Sequence, residues 1–302
     1  MSTARLVAVP SGAQVAVYDL GGEGPPLVLA HAAGFCAPTL APLAEALAGS
    51  FRCWGVDLRG HGATPPVASG SCSWSEQARD LADLLVELDL VGATGFGHSA
   101  GATVLLDAEA RRPGLFTRLV CFEPPLWPSG PPPGLTEELM AGALRRHVRF
   151  ASTADAVEHL RTRRALRALA PAVLAAYVDC GFAPGVDGDV VLSCPPEVEA
   201  ATYRAGADHD GFARLGRVRA PVTLLLGAAS PPLVGDLAAL QAAALASATV
   251  EAVPAVGHLG PLEDPAAVAR AVVATSPGGP SAARLGPAQG DARVTPRVTP
   301  RR

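Results

Sequence analysis

The sequence of 302 residues contains no run of about 18 apolar residues, the length that a membrane-spanning helix needs, so no membrane partner is expected. An excess of positive charge is missing too. Lys and Arg number 24 against 28 Asp and Glu, a net charge of −4, which argues against nucleic acid as a main partner because phosphate binding needs a basic surface. The opening MSTARLVAVPSGAQ has no long apolar segment behind basic residues, the mark of a secretory signal, and the expected location is the cytoplasm. The six cysteines, at 36, 53, 72, 121, 180 and 194, show no C-x-x-C and no Cys/His spacing of the kind that zinc and redox sites use. They read as reduced, small buried hydrophobes, and neither a metal nor an organic cofactor is implied.

What is present is a large stock of hydrophobic side chains, 49% of the total, enough for one large α/β domain plus an insertion. Arg5 to Val9 and Gln14 to Leu20 read as a hairpin around the turn signal Pro10-Ser11-Gly12. Leu27 to Ala30 reads as a buried strand, followed by a helix near Pro42 to Ala48 and a strand from Phe51 to Val56. Trp74 to Leu90 has Leu81, Leu84, Leu85 and Leu88 at spacings of three and four, with charges mostly between them, which predicts an amphipathic helix. A strand over Val91 to Gly97 and a helix over Ala100 to Arg112 come next, the latter stopped by Pro113-Gly114. Strands at Leu119–Phe122, Val222–Leu226 and Val250–Val253, with helices at Asp236–Leu245 and Asp264–Ala274, continue the alternation. Such an order implies a mostly parallel sheet covered by helices on both faces.

Between Pro124 and Ala220 the rhythm changes to helices joined by Pro-rich loops, expected at Leu135–Phe150, Ser152–Arg167, Pro171–Cys180 and Pro195–Ala205. The expected organisation is a core in two parts, 1–124 and 221–275, with a helical insertion at 125–220 lying over the carboxyl ends of the strands, where open α/β sheets bind ligands. Residues 276–302, rich in Pro, Gly, Ala and Arg with no hydrophobic period, are expected to be a disordered tail.

One short stretch carries chemistry. Gly95-Phe96-Gly97-His98-Ser99-Ala100-Gly101 holds a G-x-S-x-G, a weak match alone in a chain with 32 glycines. Its context gives it meaning, because a predicted strand runs into Ser99 and a predicted helix leaves it. "AHAAGF" at 30–35, "DLRGHG" at 57–62 and "GHLGPLEDP" at 257–265 stand around it. With these four segments in this order and at these spacings, the chain resembles the α/β-hydrolase family, in its serine-nucleophile branch with a helical cap.

That resemblance implies roles. Ser99 would be the nucleophile, which a base must deprotonate. His258 is the candidate base, since it comes after the strand at Val250–Val253 on a loop marked by Gly257 and Gly260; His31, His61 and His98 adjoin tight turns, where imidazole more often bonds to backbone. The backbone N–H groups of Ala100 and Ala33 would form the oxyanion hole, although His31-Ala32 stands where the family commonly has His-Gly. The family's usual acid position, after Val222–Leu226, reads Gly227-Ala228-Ala229-Ser230-Pro231 and holds no acid. Asp236 lies further along and reads as a helix cap. Some branches, the haloalkane dehalogenases among them, place the acid after the preceding strand, where Glu123 stands here. Glu123 is therefore the candidate; failing it, Ser99 and His258 would work with Ser230 or water.

The expected activity is hydrolysis of an ester, lactone or thioester of a moderately hydrophobic small molecule through an acyl-enzyme at Ser99. Carbon–carbon bond hydrolysis, peracid formation, and non-catalytic binding of a small molecule on the same fold are the alternatives. Leu126, Trp127, Leu139, Phe150, Leu174, Tyr177 and Phe182 would suit a hydrophobic substrate, though most read as core. Arg161, Arg163, Arg164 and Arg167 read as a solvated helix face rather than an anion site. Oligomeric state is not legible.

Overall fold

The computed structural model describes residues 3–164 and 166–275. The expected tail at 276–302 lies outside them. The chain opens with β1 (Arg5–Ala8) and β2 (Gln14–Gly21), an antiparallel hairpin closed through Gly12 at φ 83°. It continues through β3 (Pro26–Ala30), α1 (Ala41–Leu47), β4 (Arg52–Val56), α2 (Trp74–Glu87), β5 (Ala93–His98), α3 (Ala100–Arg111) and β6 (Phe116–Phe122). Next come α4 (Leu135–Leu144), β7 (Arg149–Phe150), α5 (Thr153–Thr162), α6 (Pro171–Gly181), β8 (Phe182–Pro184), β9 (Val190–Leu192) and α7 (Pro196–Ala207). After a 3-10 segment at Gly211–Arg217, the chain ends in β10 (Val222–Gly227), α8 (Pro232–Ala244), β11 (Ala248–Val253), α9 (Gly260–Glu263) and α10 (Pro265–Ala274).

Eight strands form one sheet in the order β1-β2-β4-β3-β5-β6-β10-β11. Pairing is antiparallel from β1 to β2 and from β2 to β4, and parallel from β4 through to β11. Because side chains alternate across a strand, Leu27 and Leu29 of β3 join one core, with Leu43 and Leu47 of α1 and Val268 and Val272 of α10. Val28 and Ala30 join the other, with Leu81, Leu84 and Leu85 of α2 and Leu105 of α3. Helices on both faces are what let β3 run on as continuous apolar residues from Leu27 to Ala30 and bury β5 along its whole length.

The segment between β6 and β10 departs from the expected all-helical reading. Helix α4 stops at Leu144, and Phe150 instead pairs with Val190 in a three-stranded sheet ordered β7-β9-β8. Strands this short carry too little period to be told from helix ends in sequence. Helix α5 ends at Thr162, short of Arg167. Helix α8 begins earlier than expected, at Pro232 after Pro231, so Asp236 sits inside the helix and not at its cap. Proline at a first helical position is the start signal that should have outweighed the aspartate.

Candidate active site

Strand β5 delivers Ser99 to the carboxyl edge of the sheet, and α3 leaves immediately after it. Ser99 has φ 53° and ψ −116°, a backbone region that costs a non-glycine residue about 1–3 kcal/mol and that surrounding contacts must enforce. Two glycines do so. A Cβ on Gly97 would lie 2.4 Å from the Cα of Ala102, and one on Gly101 would lie 2.3 Å from the carbonyl oxygen of Ala30. Only bare backbone lets α3 turn back this tightly against β3. The turn is pinned by Ser99 N–H donating to the Phe122 carbonyl (2.9 Å) and Gly101 N–H to the His31 carbonyl (3.1 Å).

Glu123 stands just past β6 at φ 46°, with its N–H on the Leu225 carbonyl at 3.0 Å. Its carboxylate is buried and fully engaged. Oε2 accepts from His258 Nδ1 at 2.6 Å, while Oε1 accepts from the Gly227 N–H at 2.8 Å and the Ser230 hydroxyl at 2.6 Å. Burial pushes this carboxyl's pKa up, but the hydrogen bond and charge of His258, with the Ser230 and Gly227 donors, outweigh it and hold the group below its ordinary value. With Nδ1 donating to Glu123, the lone pair of the neutral His258 ring is on Nε2. The ring is half-exposed, on the loop between β11 and α9, and its carbonyl accepts from His98 Nε2 at 2.7 Å. His98 itself is fully buried; burial and the nearby His258 keep its pKa well below the usual imidazole range, so it stays neutral.

The loop carrying Ala33 is held from below and from the side. His31 donates through Nδ1 to the Ala32 carbonyl (2.8 Å) and accepts the Leu58 N–H (3.0 Å). His61 donates through Nδ1 to the Arg59 carbonyl (2.9 Å) and accepts the Gly34 N–H (3.0 Å). The Gly34 carbonyl accepts from the Tyr177 hydroxyl (2.9 Å) and from Arg146 (3.4 Å). Arg146 also donates to Tyr177 and, at 2.5 Å, to the buried Glu199, which accepts in turn from Tyr203 (3.3 Å). Residues of α4's end, α6 and α7 thus converge on one glycine beside Ala33. The neighbouring amides of Gly34, Ser99 and Gly101 are all engaged within the protein, whereas those of Ala33 and Ala100, the two expected oxyanion donors, form no such bond among the described residues.

Ser99, Ala100, Ala33, Glu123 and His258 all line one cavity of about 390 Å³. Its wall is supplied by α4 (Leu135, Thr136, Leu139), by α7 (Tyr203, Gly206) and by α8 (Leu233, Val234, Leu237, Gln241). Trp74, Trp127 and the prolines 124, 125 and 131 complete it. Of the apolar residues expected to suit a substrate, Trp127 and Leu139 line the cavity, while Leu126, Phe150, Leu174, Tyr177 and Phe182 are packed in the cores. Arg161, Arg163, Arg164 and Arg167 are exposed and do not line it. Sequence reading missed Ser230 as a donor to Glu123, although it stands in the segment searched for an acid. It also missed Arg146, Tyr177 and Glu199, whose separations in the chain leave no local signal.

Residues 27–271 match the alpha/beta hydrolase family. The chain belongs to that family. Among curated relatives, it is 32% identical over 123 residues to pimeloyl-[acyl-carrier protein] methyl ester esterase of Shewanella sp. (strain MR-7), covering 38% of this chain and 44% of that protein. It is 30% identical over 113 residues to (E)-2-((N-methylformamido)methylene)succinate hydrolase of Acinetobacter baylyi (strain ATCC 33305 / BD413 / ADP1), covering 36% of this chain and 41% of that one. The match thus spans less than half the length of either relative. The crystal structure of E-2-(acetamidomethylene)succinate hydrolase superposes with a TM-score of 0.78 at 22% identity, covering 90% of this chain and 98% of that one, a likeness of fold. An alpha/beta hydrolase assignment agrees with the sheet order and with the elbow at Ser99. No helix among the described residues is long and apolar enough to cross a membrane.

Proposed function

We propose that the chain is a serine hydrolase, cleaving an ester, lactone or thioester of a moderately hydrophobic small molecule through an acyl-enzyme at Ser99. The observation that carries this reading is the 2.6 Å contact between His258 Nδ1 and the buried Glu123 carboxylate, on the same cavity wall as Ser99. In the proposed reaction Ser99 Oγ attacks the carbonyl carbon and passes its proton to His258 Nε2. The amides of Ala33 and Ala100 stabilise the oxyanion, and the carbon–oxygen or carbon–sulfur bond to the leaving group breaks as His258 returns the proton to it. Water, deprotonated by the same ring, then releases the acid and restores Ser99. Glu123 stays ionised throughout, fixing the tautomer and stabilising the imidazolium. The segment from α4 to α7 acts as the cap over the cavity, and neither metal nor organic cofactor takes part.

Labelling with a fluorophosphonate, read by intact mass, tests this. Wild type should gain one adduct, Ser99→Ala and His258→Ala none, and Glu123→Gln should label slowly. Wild type that stays unlabelled would sink the hydrolase and favour a ligand-binding role for the cavity.

A further inference from the structure

The cavity wall narrows the substrate class of the proposed hydrolase, an inference that rests on that reading. Its polar side chains, apart from Ser99 and His258, can be accounted for one by one. The Trp74 indole N–H donates to the Thr202 carbonyl at 3.0 Å, and the Tyr203 hydroxyl donates to Glu199. Gln241 gives its amide nitrogen to the Pro124 and Leu126 carbonyls, at 2.7 and 3.1 Å. Glu123 is held by its three donors. What remains is the amide oxygen of Gln241, which can only accept, and two neutral groups that make no hydrogen bond among the described residues, the Thr136 hydroxyl and the Trp127 indole N–H. No Arg or Lys lines the wall among the described residues. Arg146, behind the Gly34 loop, is committed to Glu199, Tyr177 and the Gly34 carbonyl.

We infer that the cavity selects esters that are uncharged on both sides of the scissile bond and rejects those carrying a carboxylate. An anionic group entering here would leave water for a wall of leucine, proline and tryptophan, with no cation to meet it. It would face the charge of Glu123 and the acceptor of Gln241 instead. A hydrocarbon or aromatic group gains what the carboxylate loses, burial against Trp127, Leu139 and Leu237. The Thr136 hydroxyl and the Trp127 indole N–H are the neutral groups left to recognise an uncharged polar group of the substrate.

Two matched pairs of esters test this. Phenyl pentanoate is compared with the monophenyl ester of glutaric acid, which replaces the terminal methyl by a carboxylate. 4-Methylphenyl pentanoate is compared with 4-carboxyphenyl pentanoate, which puts the charge on the leaving side. Wild type should show kcat/KM about 100-fold or more in favour of the neutral member of each pair. Dissociation constants on Ser99→Ala, measured by calorimetry without turnover, should rank in the same order. Leu233→Arg places a cation at a wall position that is 46% exposed, and should raise kcat/KM for the glutarate monoester by about tenfold. Equal or better binding and turnover of the charged esters by wild type overturns the inference. The two readings fail separately. A wild type that labels at Ser99 but prefers the carboxylates refutes only the substrate class; one that stays unlabelled while Ser99→Ala binds the neutral esters refutes only the hydrolase.

Discussion

Replacing Glu123 by Gln removes a charge while keeping nearly the same shape, and the hydrogen bonds around it dictate the consequence. The wild-type carboxylate accepts three of them, from Gly227, Ser230 and His258. Gln offers one oxygen and one NH₂, so it can keep the Gly227 and Ser230 donors on its oxygen only by turning NH₂ toward His258. That NH₂ needs an acceptor, and the ring supplies one by moving its lone pair to Nδ1 and its proton to Nε2, the nitrogen that receives the Ser99 proton in the proposed reaction. Loss of the correct tautomer and of the charge that stabilises the imidazolium should lower kcat by about 10³ to 10⁴-fold. That corresponds to about 4 to 5.5 kcal/mol of transition-state stabilisation. KM should move little, because Glu123 is engaged with protein groups and does not depend on substrate for its partners. Steady-state hydrolysis of phenyl pentanoate by wild type and Glu123→Gln measures both constants, with circular dichroism as the check on folding. The linkage has a definite sign: the folded pKa of Glu123 lies below its ordinary 4.5, so its stabilisation is complete above that pH and is lost as pH falls through the folded value. A folded Glu123→Gln protein retaining kcat within tenfold of wild type would refute the assignment and leave the acid role to Ser230 or water.

Buried groups elsewhere lead to two more expected outcomes. Arg146→Met should destabilise the fold by about 3–5 kcal/mol, because Glu199 would stay buried without its cation, and Arg146→Met with Glu199→Gln should recover much of that; urea unfolding of the single and double variants decides it. His31, His61 and His98 are all buried with pKa values pushed down mainly by burial, His31 to about 3, so the unfolded chain takes up protons below about pH 6.5 that the folded chain refuses. Stability should therefore be complete above that pH and fall as pH drops, with a limiting slope of about 4 kcal/mol per pH unit for three such sites. Asp57, raised to about 6 by burial, works in the opposite sense between its two pKa values and reduces the slope there. Urea midpoints at pH 8 and pH 5 that coincide would contradict this sign.

The parts of the fold legible in the sequence are those fixed by local rules. Strand β3 reads as buried because four apolar residues stand in a row, and α2 because its leucines recur at three and four. The elbow is legible for a steric reason: Gly97 and Gly101 each stand where a Cβ would meet backbone within 2.5 Å, so the glycines flanking Ser99 report a close approach that only this turn requires. By contrast, β7 and β9 are two and three residues long and are strands only because Phe150 meets Val190 far along the chain. The cavity wall was hidden for the same reason. Tyr203 and Leu237 come to line one cavity with Ser99 through the packing of α7 and α8, and neither residue differs locally from one on a buried helix face.

Glu123 and Ser230 make the sharpest case for reading chemistry through geometry. A search for an acid after β10 finds Ser230 and stops, yet the parallel register of β6 and β10 brings the two strand ends side by side, so that the Leu225 carbonyl receives the Glu123 N–H. A carboxylate from one strand end and a hydroxyl from the next then meet at 2.6 Å. Glu123 reaches the loop after β11 and meets His258, while Ser230 donates to the other oxygen of the same carboxylate. In this chain the carboxylate that meets His258 therefore stands past β6, beside the strand end that holds Ser230 and no acid.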